Sequence, residues 1–285
     1  MNNATRRAFL AASVFAFFVV LGLPARAELD IELVSPTAFR VCADPANLPF
    51  SNNKGEGFEN KIAEIFAQDL HRPLKYTWFP QTVGFVRNTL LALKCDVIIG
   101  VPSGAEMMLS TVPYYRTGYM SITRSADQIA AASLGDPILR GKRIGVIARS
   151  PPSDLLIRHG LMREAVPYEL NVDTRLEDPA HQMLLDLVAG KIDVALVWGP
   201  VAGYYIQHEH LPLKATFLQQ EPNGPPLVFN IAMGVRTSDI TWRRTLNRLI
   251  ARHQQEITKL LLSYGVPLLD ADNKPITHAG AAPTQ

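Results

Sequence analysis

The amino-acid sequence predicts an α/β protein of two lobes, each a mostly parallel sheet flanked by helices, with two hinge strands crossing between them. Segments of strand and helix character alternate along the chain, and the alternation occurs twice. A third observation is local. Lys94-Cys95-Asp96-Val97-Ile98-Ile99-Gly100-Val101-Pro102 is echoed by Lys191-Ile192-Asp193-Val194-Ala195-Leu196-Val197-Trp198-Gly199-Pro200, each a Lys-x-Asp turn, a buried strand and a Gly/Pro exit. A chain of 285 residues that is 47% hydrophobic and 19% charged buries a large core, which excludes a disordered tail or a fibre.

Residues 39–43 form a short apolar run ended by the turn cluster Asp44-Pro45-Ala46-Asn47, which reads as a buried strand. After Gly55 and Gly57, the positions Phe58, Ile62, Ile65, Phe66 and Leu70 recur at helical spacing until Pro73 stops the pattern. Aromatic and β-branched residues give a strand over 74–79. Phe85, Val86, Thr89, Leu90 and Leu93 make a second helical stripe, and 96–101 is a third strand. In the second half the same grammar predicts strands over 143–148, 168–172 and 193–198, with helices over 153–161 and 181–189 between them. The stretches 113–123 and 227–235 are the connectors expected to cross between lobes. Ile240, Leu246, Leu249, Ile250, Ile257 and Leu261 mark one or two closing helices that pack back on the first lobe. The expected division is lobe 1 over 38–120 plus 232–268, lobe 2 over 121–231, and a flexible polar tail over 269–285.

Residues 1–27 read as an export signal. Arg6 and Arg7 precede an apolar run of about 16 residues, then Pro24 and the small-x-small triplet Ala25-Arg26-Ala27, so cleavage is expected after Ala27 by the Sec or twin-arginine route. A membrane span needs about 20 apolar residues, so none is expected after cleavage. The segment holds three arginines and no acid. The remaining chain therefore carries 25 Lys and Arg against 26 Asp and Glu, a net charge of −1 where the full chain has +2. Nucleic acid, which needs a surplus of cations, is excluded as an expected partner. Both cysteines, Cys42 and Cys95, lie in the exported part. An even count in an oxidising compartment favours a disulfide, with two buried thiols as the alternative.

Catalytic signatures are missing: there is no Gly-x-Ser-x-Gly elbow, phosphate loop, dinucleotide fingerprint or His-Glu-x-x-His motif. His208-Glu209-His210 and Asp270-Ala271-Asp272-Asn273 read as surface polar residues rather than metal sites. What remains is a cleft, because ligands of open α/β sheets sit outside the carboxyl ends of the strands. The loops expected to face it are 44–51, 80–84 and 102–106 in one lobe and 149–154, 173–178 and 198–204 in the other. They are poor in charge and rich in aromatics.

Arg40-Val41-Cys42-Ala43-Asp44, Asn47-Leu48-Pro49-Phe50-Ser51-Asn52, Gly57-Phe58-Glu59-Asn60-Lys61-Ile62-Ala63, Phe85-Val86-Arg87-Asn88-Thr89-Leu90, Cys95 to Pro102 and Pro113-Tyr114-Tyr115-Arg116 occur in one order. Over residues 39–265 the chain resembles the type II periplasmic solute-binding proteins. More narrowly it resembles their quinoprotein-dehydrogenase-associated branch, the MxaJ/XoxJ-type proteins of methylotrophic bacteria. The resemblance implies the two-lobed type II fold, a periplasmic location, no catalytic activity and no cofactor. It also implies a PQQ-dependent methanol or alcohol dehydrogenase as partner, with its cytochrome c as a further candidate. With strand order 2-1-3 in each lobe, Cys42 and Cys95 fall on neighbouring strands, within reach of a disulfide.

Amino-acid-binding members are similar in placing an Arg after the third strand's turn, where its planar fork holds a carboxylate, and an Asp at the end of the strand matching 193–197. Here Met107 and Trp198 occupy those places, which disfavours an ordinary amino-acid receptor. The ligand- or partner-binding cleft is expected to comprise Asp44, Phe50, Gln81, Ser103, Met107, Tyr115, Arg149, Ser150, Trp198 and Tyr204. The leading class is an accessory protein that assists assembly or activation of the dehydrogenase. The alternative is the receptor of an ABC importer for a small non-amino-acid ligand, with a dehydratase-like enzyme on the same fold third.

Overall fold

The computed structural model describes residues 33–127 and 129–278, so the expected export signal lies outside the described residues. The first half runs β1 (Phe39–Ala43), the short pair β2 (Ala46–Asn47) and β3 (Ser51–Asn52), α1 (Phe58–Asp69), β4 (Leu74–Trp78), α2 (Phe85–Asn88), β5 (Val97–Pro102) and β6 (Leu109–Ser110). Strand β7 (Tyr115–Arg124) crosses to the second half, which runs β8 (Ile144–Ile147), α3 (Pro151–Arg158), β9 (Ala165–Tyr168), α4 (Pro179–Val188), β10 (Val194–Trp198), α5 (Gly199–His208) and β11 (Leu213–Phe217). Strand β12 (Val228–Val235) returns, and α6 (Ile240–Ser263), β13 (Leu268–Leu269) and β14 (Pro275–Ile276) close the chain.

One curled sheet runs β4-β1-β5-β12-β7-β10-β8-β9, with β11 added on β7 and β6 on β12. Pairing is parallel within β4-β1-β5 and β10-β8-β9, and antiparallel wherever β7 or β12 takes part. In each half the second strand lies beside the first and the first beside the third, so the sequence repeat is a structural repeat. β12 pairs with β7 through Val228 to Ile231 and with β5 from Ile231 onward, so it belongs to both lobes.

The unbroken apolar runs of the inner strands follow from burial on both faces. In β10, Ala195 and Val197 pack with Met183, Leu184 and Ala202, while Val194 and Leu196 face Leu155, Leu156 and Ile144. In β5, Val97 and Ile99 join Phe39, Phe58 and Phe66, and the same core takes Trp242, Leu246, Leu249 and Ile257 of α6. Opposite lies a smaller cluster of Cys42, Phe85, Leu90, Cys95 and Ile98. Cys42 and Cys95 form a disulfide there, with Cα atoms 5.5 Å apart.

Several boundaries differ from the expectation. The stripe from Phe85 to Leu93 is helical only to Asn88. It then closes in wider turns, Leu91 N–H donating to Val86 O and Lys94 N–H to Thr89 O, with Leu93 at φ 58°. Phe85 and Leu90 are buried all the same, which is what the spacing detected. The strand expected over 168–172 lies at Ala165–Tyr168. It pairs only with β8, and this edge position tolerates Pro167, which has no N–H to donate. The segment 198–204, expected as a loop, starts α5 with Pro200 in its first turn, where a missing N–H costs nothing. Within the described part of the expected tail, β13 and β14 pair and Ile276 is buried.

The repeated Lys-x-Asp turn acquires a physical meaning. Asp96 accepts from Arg40 Nε at 2.7 Å and Nη2 at 2.6 Å, and Asp193 accepts from Arg143 Nε at 3.0 Å and Nη2 at 2.8 Å. In each half, an Arg at the start of the first strand clasps the Asp at the entry to the third, and the same two residues are bonded through the backbone. The hydrogen bonds from Arg143 hold the Asp193 carboxyl well below the usual carboxylate range, and Lys191 lowers Asp186 in the same way. A depressed folded value stabilises above the unfolded pKa and is lost as pH falls through the folded one. The urea midpoint should therefore drop progressively as pH falls below about 5. Asp193→Asn should start lower and the gap to wild type should narrow steadily with falling pH; parallel curves would refute the clasp's part in acid stability.

Candidate functional site

A cavity of about 340 Å³ opens where β7 and β12 cross between the halves. Phe50, Glu59, Gln81, Gly100 and Pro102 line it from the first half, and Tyr115, Tyr119, Phe229 and Ile231 from the crossing strands. Ile147, Ser150, Leu170, Ala180 and Trp198 close it from the second half. None of these is basic. Tyr119, Trp198 and Phe229 form an edge-to-face trio with ring centroids 5.1, 5.7 and 6.4 Å apart. Burial pushes the Tyr119 hydroxyl up to about 12, and raises Tyr115 well above its ordinary value with help from Glu59.

Asp44 ends β1 and is buried beside the cavity. It accepts from Ala46 N–H at 2.8 Å, Gln81 N–H at 2.5 Å, and the Thr174 hydroxyl at 2.8 and 2.9 Å. Thr174 belongs to the other half, so Asp44 ties the two sides of the cleft together. The carboxylate arrives there because the Pro45 turn stops β1 one residue after its last paired position.

Glu59 lies one residue into α1 and is only 9% exposed. Its carboxyl sits over Gly100: a Cβ at position 100 would come within 1.9 Å of Glu59 Oε1, and Gly100 has φ 82°. Only glycine suits both the backbone and the approach of that acid. Burial, with the Asp44 charge adding to it, holds the Glu59 carboxyl well above the usual range.

Of the expected site residues, Phe50, Gln81, Tyr115, Ser150 and Trp198 line the cavity and Asp44 lies just behind it. The Ser150 hydroxyl is engaged, donating to Ile147 O at 2.6 Å. Ser103, Met107 and Arg149 are exposed and do not line the cavity. Tyr204 is carried away by the helix that replaced the expected loop. It stacks on Tyr264 and His208 beside a separate groove of about 630 Å³. The reading missed Glu59, Tyr119, Phe229 and Thr174. A signal for Glu59 was present: it shares a helix face with Ile62, Ala63 and Phe66 at the three- and four-residue spacing, an acid on an apolar stripe. Among the described residues, no three His, Cys, Asp or Glu gather to hold a metal ion, and no helix is long and apolar enough to cross a membrane.

Two α/β lobes of like strand order, two crossing strands and a cavity between them define a periplasmic binding protein of type II. No protein-family model matches the chain. Among solved structures it is similar to the periplasmic binding protein XoxJ from Methylobacterium extorquens AM1, with 39% identity and a TM-score of 0.70, covering 81% of this chain and 99% of that one. It is also similar to MxaJ from Methlophaga aminisulfidivorans MPT, at 25% identity and a TM-score of 0.71 over 81% and 100% of the two chains. Protein MoxJ of Paracoccus denitrificans is 28% identical over 263 residues, 87% of this chain and 95% of that protein. The chain belongs to the MxaJ/XoxJ-type periplasmic binding proteins.

Proposed function

We propose that the protein is a periplasmic, non-catalytic accessory protein of a PQQ-dependent methanol or alcohol dehydrogenase, which it assists in assembly or activation. The observation that carries this reading is the 39% identity to XoxJ over 99% of that chain. The site supports it in two ways. With no basic side chain, the cavity offers no cation to pair with the carboxylate of a free amino acid. The loops that meet at Asp44 also present large apolar side chains to solvent, Val83 at 79% and Leu176 at 81% exposed, as a docking rim for a protein would.

Calorimetry of the mature protein with its cognate dehydrogenase should give micromolar or tighter binding. Combining Val83→Asp with Leu176→Asp should weaken it by about tenfold or more, while exposed Lys214→Ala should leave it unchanged. Wild-type affinity in the double variant would move the docking surface elsewhere. No binding at about 1 mM dehydrogenase, with low-micromolar binding of a free amino acid, would return the importer-receptor reading.

A further inference from the structure

Glu59 is the unexplained group of the cleft. It is nine-tenths buried and lines the cavity, and among the described residues no hydrogen bond or ion pair reaches its carboxyl. The charge that adds to the effect of burial on it is another acid, Asp44, whose oxygens are already taken by two backbone N–H groups and the Thr174 hydroxyl. A buried carboxyl without a partner is costly unless something else completes it. The rest of the cavity says what that is. Tyr119, Trp198 and Phe229 line it with aromatic rings, whose quadrupoles attract a cation, and no Lys, Arg or His lining the cavity competes for the acid. A volume of about 340 Å³ is at the small end for ligand pockets.

We propose that the cavity binds a small organic ammonium ion that carries no carboxylate, its N–H groups donating to Glu59 and its hydrocarbon part lying against Tyr119, Trp198 and Phe229. The absence of a basic residue disfavours the zwitterion, and no three His, Cys, Asp or Glu gather among the described residues to hold a bare metal cation. This ligand site goes beyond the dehydrogenase partnership and stands or falls separately from it, because the test uses no dehydrogenase.

The probes are three molecules sharing one ring: 2-phenylethylammonium, its neutral analogue 2-phenylethanol, and phenylalanine, which adds a carboxylate. Titration of the mature protein, followed by calorimetry and by tryptophan fluorescence, should show the amine binding at least about tenfold more tightly than either of the others. Glu59→Gln should cost the amine about tenfold or more and leave the alcohol unchanged. Because the variant removes an unpartnered buried acid, its melting temperature should be equal to or above that of wild type, which separates lost binding from lost folding. Equal affinity for amine and alcohol, tighter binding of phenylalanine, amine binding unaltered in Glu59→Gln, or no binding of the amine at about 10 mM would each overturn the proposal.

Discussion

Replacing both Cys42 and Cys95 by alanine should lower stability by about 4 kcal/mol, the largest effect expected of any change outside the aromatic cores. The bond closes a loop with a sequence separation of 53, which contains α1, β4 and α2. Opening it restores that much conformational freedom to the unfolded chain, worth about 4 kcal/mol in the chain-entropy account. Both sulfurs are buried against Phe85, Leu90 and Ile98, so reduction also loosens the small cluster on the outer face of β5. At about 2 to 4 °C per kcal/mol for a domain of this size, melting should fall by roughly 10 °C. Wild type treated with reductant should melt with the variant. Melting of the variant within a degree or two of oxidised wild type would show that the loop is held closed without the bond.

Asp96→Asn should cost about 3 kcal/mol, well above the matching change in the second half. Asp96 is 1% exposed and receives Arg40 at 2.6 Å and Arg236 at 2.8 Å, and Arg236 is itself only 6% exposed. Removing one charge from a buried group costs about 3 to 5 kcal/mol because the partner is left uncompensated. The low end applies here, since Arg40 reaches solvent and Arg236 keeps Asp239 at 2.7 Å. Asp193 is clasped by an Arg143 that is half exposed, so Asp193→Asn should cost about 1 kcal/mol or less at neutral pH. Chemical denaturation of both variants measures the contrast. Equal losses would mean that the buried second arginine adds nothing to the clasp.

The contrast also marks how far the sequence could be read. The echo of residues 94–102 in 191–200 was visible as a pattern, and its strands form where expected. That the Asp of each turn binds an Arg about 50 positions earlier was not visible, because nothing local links Arg40 to Asp96. The site divides in the same way. Phe50, Gln81, Ser150 and Trp198 line the cavity from strand ends and the loops beside them, which face the cleft of an open sheet, whereas Tyr115 lines it from the first position of a crossing strand. Tyr119 and Phe229 were missed because they sit within the crossing strands, whose side chains face the cavity only once β7 and β12 are paired.

By itself the sequence determined the alternation of strand and helix and the doubling of that plan, which rest on periodicity and order, properties that a chain carries before it folds; its motif blocks carried the resemblance to the family, and the closeness of the two cysteines followed only from the strand order which that fold implies. Only the tertiary structure decided that Glu59 is buried without a partner, that Thr174 closes on Asp44, and that Tyr204 leaves the cleft on a helix. Those outcomes depend on which surfaces meet across long separations, where burial removes water from a charge and a single neighbour determines whether it is paired.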